Sequence, residues 1–159
     1  MKKTLVFAIL LFSSFTLLIA QENDVDKEKE LIKKVIQNAY VDGLCNNTDL
    51  DAVNKGFHPG FSLLSVGHTG DIMHKTPIYN WIQYAESGKK SKKLKYSFQN
   101  ELTTIKYQFI DVTGKAAVAK IDFYEGDELK FIDYLSLLKF ETGWKIVTKT
   151  YHALPKKKE

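Results

Sequence analysis

Three short helical patterns come first, and a run of long alternating strands then closes on Gly143-Trp144-Lys145-Ile146-Val147; this order constrains the fold more than any single motif. A block of helices followed by a block of strands reads as an α+β domain. From about Lys95 the apolar period becomes two, with Thr113-Gly114-Lys115, Glu125-Gly126-Asp127 and Glu141-Thr142-Gly143 as breaks. That is the pattern of an antiparallel meander.

The first helix is expected from about Asp26 to Leu44, because Leu31, Ile32, Val35, Ile36, Ala39 and Tyr40 recur at three-and-four spacing and form one apolar stripe. Thr48-x-x-Asp51 resembles a capping box that opens a short second helix. Phe57-His58-Pro59-Gly60 stops it, since proline disfavours helical geometry in the residue before it. Phe61–Val66 and Asp71–His74 flank Gly67-His68-Thr69-Gly70 and read as a hairpin. Thr76-Pro77 reads as the cap and first residue of a third helix, with Ile78, Trp81, Ile82 and Ala85 inward and Gly88 as its stop.

The strands carry their own faces. Tyr96 and Phe98 share one parity and Ile105, Tyr107 and Phe109 the other, which predicts a bulge near Thr103-Thr104. In the next strand Ala117, Ala119, Ile121 and Phe123 oppose Lys120, Asp122 and Tyr124. The third sets Phe131, Asp133 and Leu135 against Ile132 and Tyr134. Both of its faces are partly apolar, so helices are expected on one side and a partner subunit or another element on the other.

Lys2 and Lys3 before an uncharged, mostly apolar run from Thr4 to Ala20 form a signal peptide, cleaved near Ala20. The run ends at Gln21-Glu22-Asn23-Asp24 without a basic stop-transfer cluster, so a retained membrane anchor is disfavoured and an exported, periplasmic or secreted, protein is expected. The remainder, 21–159, is long enough for one domain with a substantial core: helices over about 26–88, strands over about 95–152 and a disordered basic tail at 155–159. The lone Cys45 cannot close an internal disulfide and reads as a buried small hydrophobe. All 23 basic residues are Lys. Without Arg the bidentate fork used for phosphate and guanine is missing, and nucleic acid is not an expected partner. Lys89, Lys90, Lys92, Lys93 and Lys95 fall in a polar connection and read as a solvated loop.

Helix one ending in Tyr40, the Phe57-His58-Pro59 segment, the hairpin, the helix bearing Trp81 and the closing Gly143-Trp144-Lys145-Ile146-Val147 to His152 together resemble the nuclear transport factor 2-like superfamily. Within it, the chain is most similar to the polyketide-cyclase-like, lumazine-binding branch. The resemblance implies a cone: a strongly curved, mostly antiparallel sheet wrapped around three N-terminal helices, with a pocket in its wide end. It also implies a homodimer through the outer sheet face. The superfamily contains isomerases, dehydratases and cyclases as well as binding modules, so the fold does not choose among them.

A pocket carboxylate or His-carboxylate pair would serve as the base in such enzymes, and Asp133 and His58 are the candidates, with Tyr40 or Tyr107 as donor. Asp133 stands in an apolar wall if the Phe131–Leu135 face is concave, and is solvated if the other face is. Asp122 shares its face with Lys120 and Tyr124 and reads as polar exterior. His58 either touches a ligand at the rim or pins the turn before Pro59. Four histidines at 58, 68, 74 and 152 lack metal-ligand spacing, so neither a metal nor another cofactor is expected. Tyr40, Phe57, Phe61, Trp81, Phe98, Tyr107 and Phe123 are of the type that lines a small apolar or aromatic ligand, although each would fill a core equally well. The reading adopted is a small-molecule binder that does not transform its ligand. The alternatives are an isomerase, dehydratase or cyclase, and an interaction module whose pocket is vestigial.

Overall fold

Residues 24–67, 71–90 and 101–155 are described in the computed structural model of the chain. The expected leader, the expected turn at His68–Gly70, the lysines at 92, 93 and 95, Tyr96, Phe98 and the expected tail with Lys156–Lys158 lie outside them.

Helix α1 spans 24–47 and changes character midway: 24–35 are α-helical, and Ile36–Asn47 run in wider π-type turns. Widening the turn alters which side chains share a face. Ile36, Ala39, Tyr40, Val41, Gly43, Leu44 and Cys45 are therefore all buried, although a 3.6-residue stripe would expose some of them. The helix ends on Thr48 in the left-handed conformation, φ 54°. This corrects the capping-box expectation, because the cap of α2 (Leu50–Gly56) is Asp49, whose Oδ1 accepts from the backbone N–H groups of Asp51 at 3.0 Å and Ala52 at 3.1 Å. Helix α2 lies tight on α1. A Cβ added at Gly56 would stand 2.2 Å from the Cβ of Ala39.

Six strands form one curved, unclosed sheet in the order β2-β1-β6-β5-β4-β3, where β1 is Phe57–Val66, β2 Met73–Pro77, β3 Thr103–Thr113, β4 Ala116–Glu125, β5 Glu128–Phe140 and β6 Gly143–Ala153. All neighbours are antiparallel except β1 and β6, which run parallel and so join the hairpin to the meander. Helix α3 spans Ile78–Lys90. Thr76 and Pro77 end β2 rather than opening α3, a shift of one residue that follows from Pro77 pairing with Ser62.

The concave face carries Ala119, Ile121 and Phe123 of β4, Leu135 and Leu137 of β5, and Trp144 and Ile146 of β6, packed against Ile32, Ile36, Tyr40 and Leu44 of α1. The register also slips at Lys130 of β5 and between Phe57 and Ser62 of β1, but two other irregularities decide which side chains enter the hollow. In β3 the bulge falls at Gln108, between the pairs Tyr107–Ile121 and Phe109–Lys120, and not at Thr103-Thr104. Its effect is to turn Phe109 outward, 46% exposed, and to bring Ile110 and Val112 to the inner face. In β6 the bulge falls at Val147, between the pairs Leu137–Ile146 and Ser136–Thr148. On the outer face Lys106 lies 4.9 Å from the Tyr124 ring and Lys120 5.6 Å from the Tyr134 ring, beside the exposed Tyr134 and Leu138.

Candidate functional site

Three polar side chains meet inside the hollow. Helix α1 supplies Tyr40, β5 supplies Asp133 and β6 supplies Lys149. The Tyr40 hydroxyl donates to Asp133 Oδ2 at 2.7 Å, and Lys149 Nζ lies 2.6 Å from the same oxygen and also donates to the Tyr40 hydroxyl oxygen. None is open to water: Asp133 is 0% exposed, Tyr40 1% and Lys149 4%.

The local folding explains how they converge. Asp133 follows the simple alternation of β5, between Phe131 and Leu135, and that face is the concave one. Lys149 depends on the Val147 bulge, because a one-residue insertion moves every later side chain to the opposite face. Beyond it Lys149 pairs with Leu135 and Tyr151 with Asp133, so both turn inward. The wide turns of α1 set Tyr40 above them.

Five rings surround the ammonium. Its distance to the ring centre is 4.7 Å for Tyr40, 5.3 Å for Trp81, 5.4 Å for Tyr151, 5.5 Å for Phe123 and 6.0 Å for Phe131. Such rings attract a cation through the negative potential of their faces, most strongly where water is excluded. Burial, and then the negative charge of Asp133, push the Tyr40 hydroxyl well above its ordinary range. It therefore remains a proton donor at neutral pH. Among the described residues, no donor reaches Asp133 Oδ1, which is buried. An ionised carboxylate with one free oxygen in an apolar wall is an expensive arrangement.

Of the residues singled out from sequence, Tyr40, Trp81, Phe123 and Asp133 come together here. Phe57 backs them, edge-on to Tyr40 at 6.4 Å and to Phe61 at 4.9 Å, while Phe61 stacks on Trp81 at 5.8 Å. These rings pack on one another, and the more open end of the cluster lies toward Phe131 and Tyr151, the latter 36% exposed. His58 stands apart. Its Nδ1 accepts from the Gly60 N–H at 3.0 Å, and its ring stacks on Phe140 at 4.8 Å. Tyr107 donates to the Lys33 carbonyl at 3.2 Å, tying β3 to α1, and burial raises its hydroxyl well above the usual range. Asp122 accepts from Gln108 Nε2 on the outer face. Phe98 lies outside the described residues.

Lys149 was not singled out by sequence, and neither was a second network farther along the same elements. Glu28 of α1 accepts from Lys139 Nζ of β5 at 2.7 Å and from the Trp144 indole N–H of β6 at 2.6 Å. Beside it an open groove of about 730 Å³ runs between α1, α2 and the β5–β6 turn, lined by Leu31, Val35, Gly56, Lys139 and Trp144 among others. This groove is separate from the Tyr40–Asp133–Lys149 cluster.

A curved, mostly antiparallel sheet closed on one side by three helices, with polar groups in its hollow, defines a nuclear transport factor 2-like protein, and solved structures agree. An NTF2-like protein of unknown function from Shewanella baltica OS155 superposes with a TM-score of 0.61 at 22% identity, covering 82% of this chain and 96% of that one. One from Silicibacter pomeroyi DSS-3 gives 0.63 at 18% identity, with coverage of 81% and 98%. A third, from Methylobacillus flagellatus KT, gives 0.58 at 21% identity, with coverage of 81% and 94%. At these identities the likeness concerns the fold. The profile of the family described as "Putative lumazine-binding" matches residues 27–152, and the chain belongs to that family. Among curated proteins no sequence matches.

Proposed function

We propose that the chain is an exported protein that binds a small, largely apolar or aromatic molecule in the hollow of its sheet and releases it unchanged. The observation that carries this reading is the Tyr40–Asp133–Lys149 cluster with its unpartnered carboxylate oxygen. A buried ion pair is seldom needed for stability, since well-packed apolar residues of similar volume serve as well or better. A fold that keeps one, incompletely satisfied and walled by rings, has the composition of a ligand site: mostly apolar, with a few convergent polar groups. The family's name points the same way. In this reading a ligand enters past Phe131 and Tyr151, parts the rings and meets the polar floor. Of the acid–base partners expected beside Asp133, His58 is engaged in its turn and Tyr107 on the α1 backbone, while Tyr40 does donate to the carboxylate, so the enzyme reading is left to the turnover test below. Export rests on Lys2, Lys3 and the apolar run from Thr4 to Ala20, and pairing through the outer sheet face remains part of the proposal.

The test is a titration of the mature chain with lumazine and a panel of aromatic carbonyl compounds. A saturable rise in melting temperature is expected, reflecting about 2.7 kcal/mol of added stability at a hundredfold excess over Kd, together with a change in tryptophan fluorescence that is lost in Trp81→Phe. Mass spectrometry should recover the compound unaltered. Absence of any shift across the panel sinks the binding reading, and a ligand consumed by wild type but not by Asp133→Asn establishes the enzyme instead. N-terminal sequencing of the protein from cells decides export: a first residue near Gln21 supports it, and an intact Met1 refutes it.

A further inference from the structure

We infer that Lys149 and Asp133 condense into a covalent cross-link, an amide between Lys149 Nζ and Asp133 Cγ that joins β6 to β5 inside the hollow. The inference goes beyond the binding reading and needs neither a ligand nor a cavity. The reacting groups are already in contact. Nζ lies 2.6 Å from Asp133 Oδ2, and Cγ is one carbon–oxygen bond of about 1.2 Å further, so the nitrogen stands within about 4 Å of the carbon it attacks. The register suits the bond. Asp133 pairs with Tyr151 and Lys149 with Leu135, which makes the two diagonal neighbours on one face, about 7–8 Å apart at the backbone, a span that the long lysine stem covers.

The protons balance within the cluster. The ammonium passes one to Oδ2 across the ion pair, which leaves a neutral amine whose lone pair attacks Cγ. A second N–H donates to the Tyr40 hydroxyl oxygen, and that hydroxyl donates to Oδ2 at 2.7 Å, so a second proton relays onto the same oxygen. Burial keeps Tyr40 protonated and able to relay. The Cγ–Oδ2 bond then breaks and Oδ2 leaves as water; the third hydrogen stays on the amide nitrogen, and Oδ1 remains as the amide carbonyl. No oxidant, cofactor or activated group is consumed. The surroundings favour the product. As an ion pair the two side chains hold two charges out of water, with Oδ1 unpartnered among the described residues, whereas the amide is neutral. The five rings around Nζ hold the nucleophile in place and keep away the water that hydrolysis would need. Lys139 and Glu28 supply the control: a lysine and a carboxylate equally close at 2.7 Å, but in touch with water, so no condensation is expected there.

Mass spectrometry of the purified, denatured chain tests this. Wild type is expected to weigh one water less than its sequence requires, and trypsin should release the peptide Phe131–Lys139 joined to one that begins at Ile146 and is uncut after Lys149. Lys149→Arg keeps the positive charge but has no amine to condense, and should show the full mass and separate peptides. Tyr40→Phe lacks the relay and should retain a larger unlinked fraction than wild type; an equal fraction removes Tyr40 from the step. A wild type of full mass, with Phe131–Lys139 and Ile146–Lys149 recovered separately, overturns the inference and leaves the binding reading standing. A water loss that persists in Lys149→Arg, or that maps to Lys139 and Glu28, overturns the assignment to this pair. Should a variant not fold, the linked or unlinked peptides of wild type alone decide.

Discussion

Two networks tie the same three elements together, and they do so in opposite surroundings. At one end Glu28 of α1 meets Lys139 of β5 and Trp144 of β6; at the other Tyr40 of α1 meets Asp133 of β5 and Lys149 of β6. Each joins a carboxylate, a lysine and an aromatic donor. The outer one is in touch with water, with side chains 21% exposed at Glu28 and 37% at Lys139, and the inner one is sealed. Water screens the first, so it fastens α1 at small cost and small gain. The inner network bears the full desolvation penalty of both charges. A clasp made for stability would resemble the outer one, which is why the inner one reads as a site.

That contrast is open to direct attack. Asp133→Ala strands the Lys149 ammonium in the interior and should cost about 3–5 kcal/mol in urea denaturation, whereas Asp133→Leu combined with Lys149→Met should recover most of it. A loss below about 1 kcal/mol for Asp133→Ala would mean that the inner cluster is hydrated like the outer one, and the distinction fails. Tyr40→Phe removes a donor to the carboxylate and should cost about 1.5–3 kcal/mol by the same measurement. Gly56→Ala overpacks the α1–α2 contact against Ala39 and should cost about 1–3 kcal/mol, loosening the helix from which both networks hang. Glu28→Gln should cost less than about 1 kcal/mol at neutral pH.

For Glu28 the pH dependence has a definite sign. Its hydrogen bond from Lys139, then that from Trp144, hold the carboxyl below its ordinary value of 4.5. Its contribution is thus fully present above that unfolded-state value and fades as pH falls through the lower folded value. Wild type and Glu28→Gln should therefore converge in stability under acid. A gap that widened on acidification would remove the ion pair as its cause.

Much of this could be read in the sequence because strands alternate. Ala119, Ile121 and Phe123, and Phe131, Asp133 and Leu135, announce a shared inner face by parity alone, and only the choice of which face is concave needed the helices. Lys149 could not be read that way. Counting from Trp144 and Ile146 sends Thr148 and Thr150 inward and Lys149 out, and the Val147 bulge reverses this. A faint signal was present, for Tyr151, the next large aromatic, shares the parity of Lys149. The β3 bulge hid similarly: Ile105 and Tyr107 give way to Ile110 and Val112 across Gln108, but Phe109 continues the earlier apolar parity and masks the change. Helix α1 misled for a different reason. Sequence periodicity assumes 3.6 residues per turn, and the wide turns that begin at Ile36 break that assumption with no proline to mark the place and the segment's glycine, Gly43, seven residues further on. Glu28 offered no signal, since one glutamate among several on a charged helix face looks like its neighbours.

The single unpaired residue at Val147 divides β6 into two halves that are out of phase. Side chains before it belong to the rim that grips the helix, and those after it belong to the chamber. Drawing Val147 into the ladder would rotate the chamber's cation to the exterior and send a threonine in its place, exchanging a charged floor for a neutral one, whereas deleting Val147 would leave Thr148 opposite Ser136 and Lys149 opposite Leu135 as they stand. The polarity of the chamber thus depends on whether one residue joins the ladder as well as on which side chains line it.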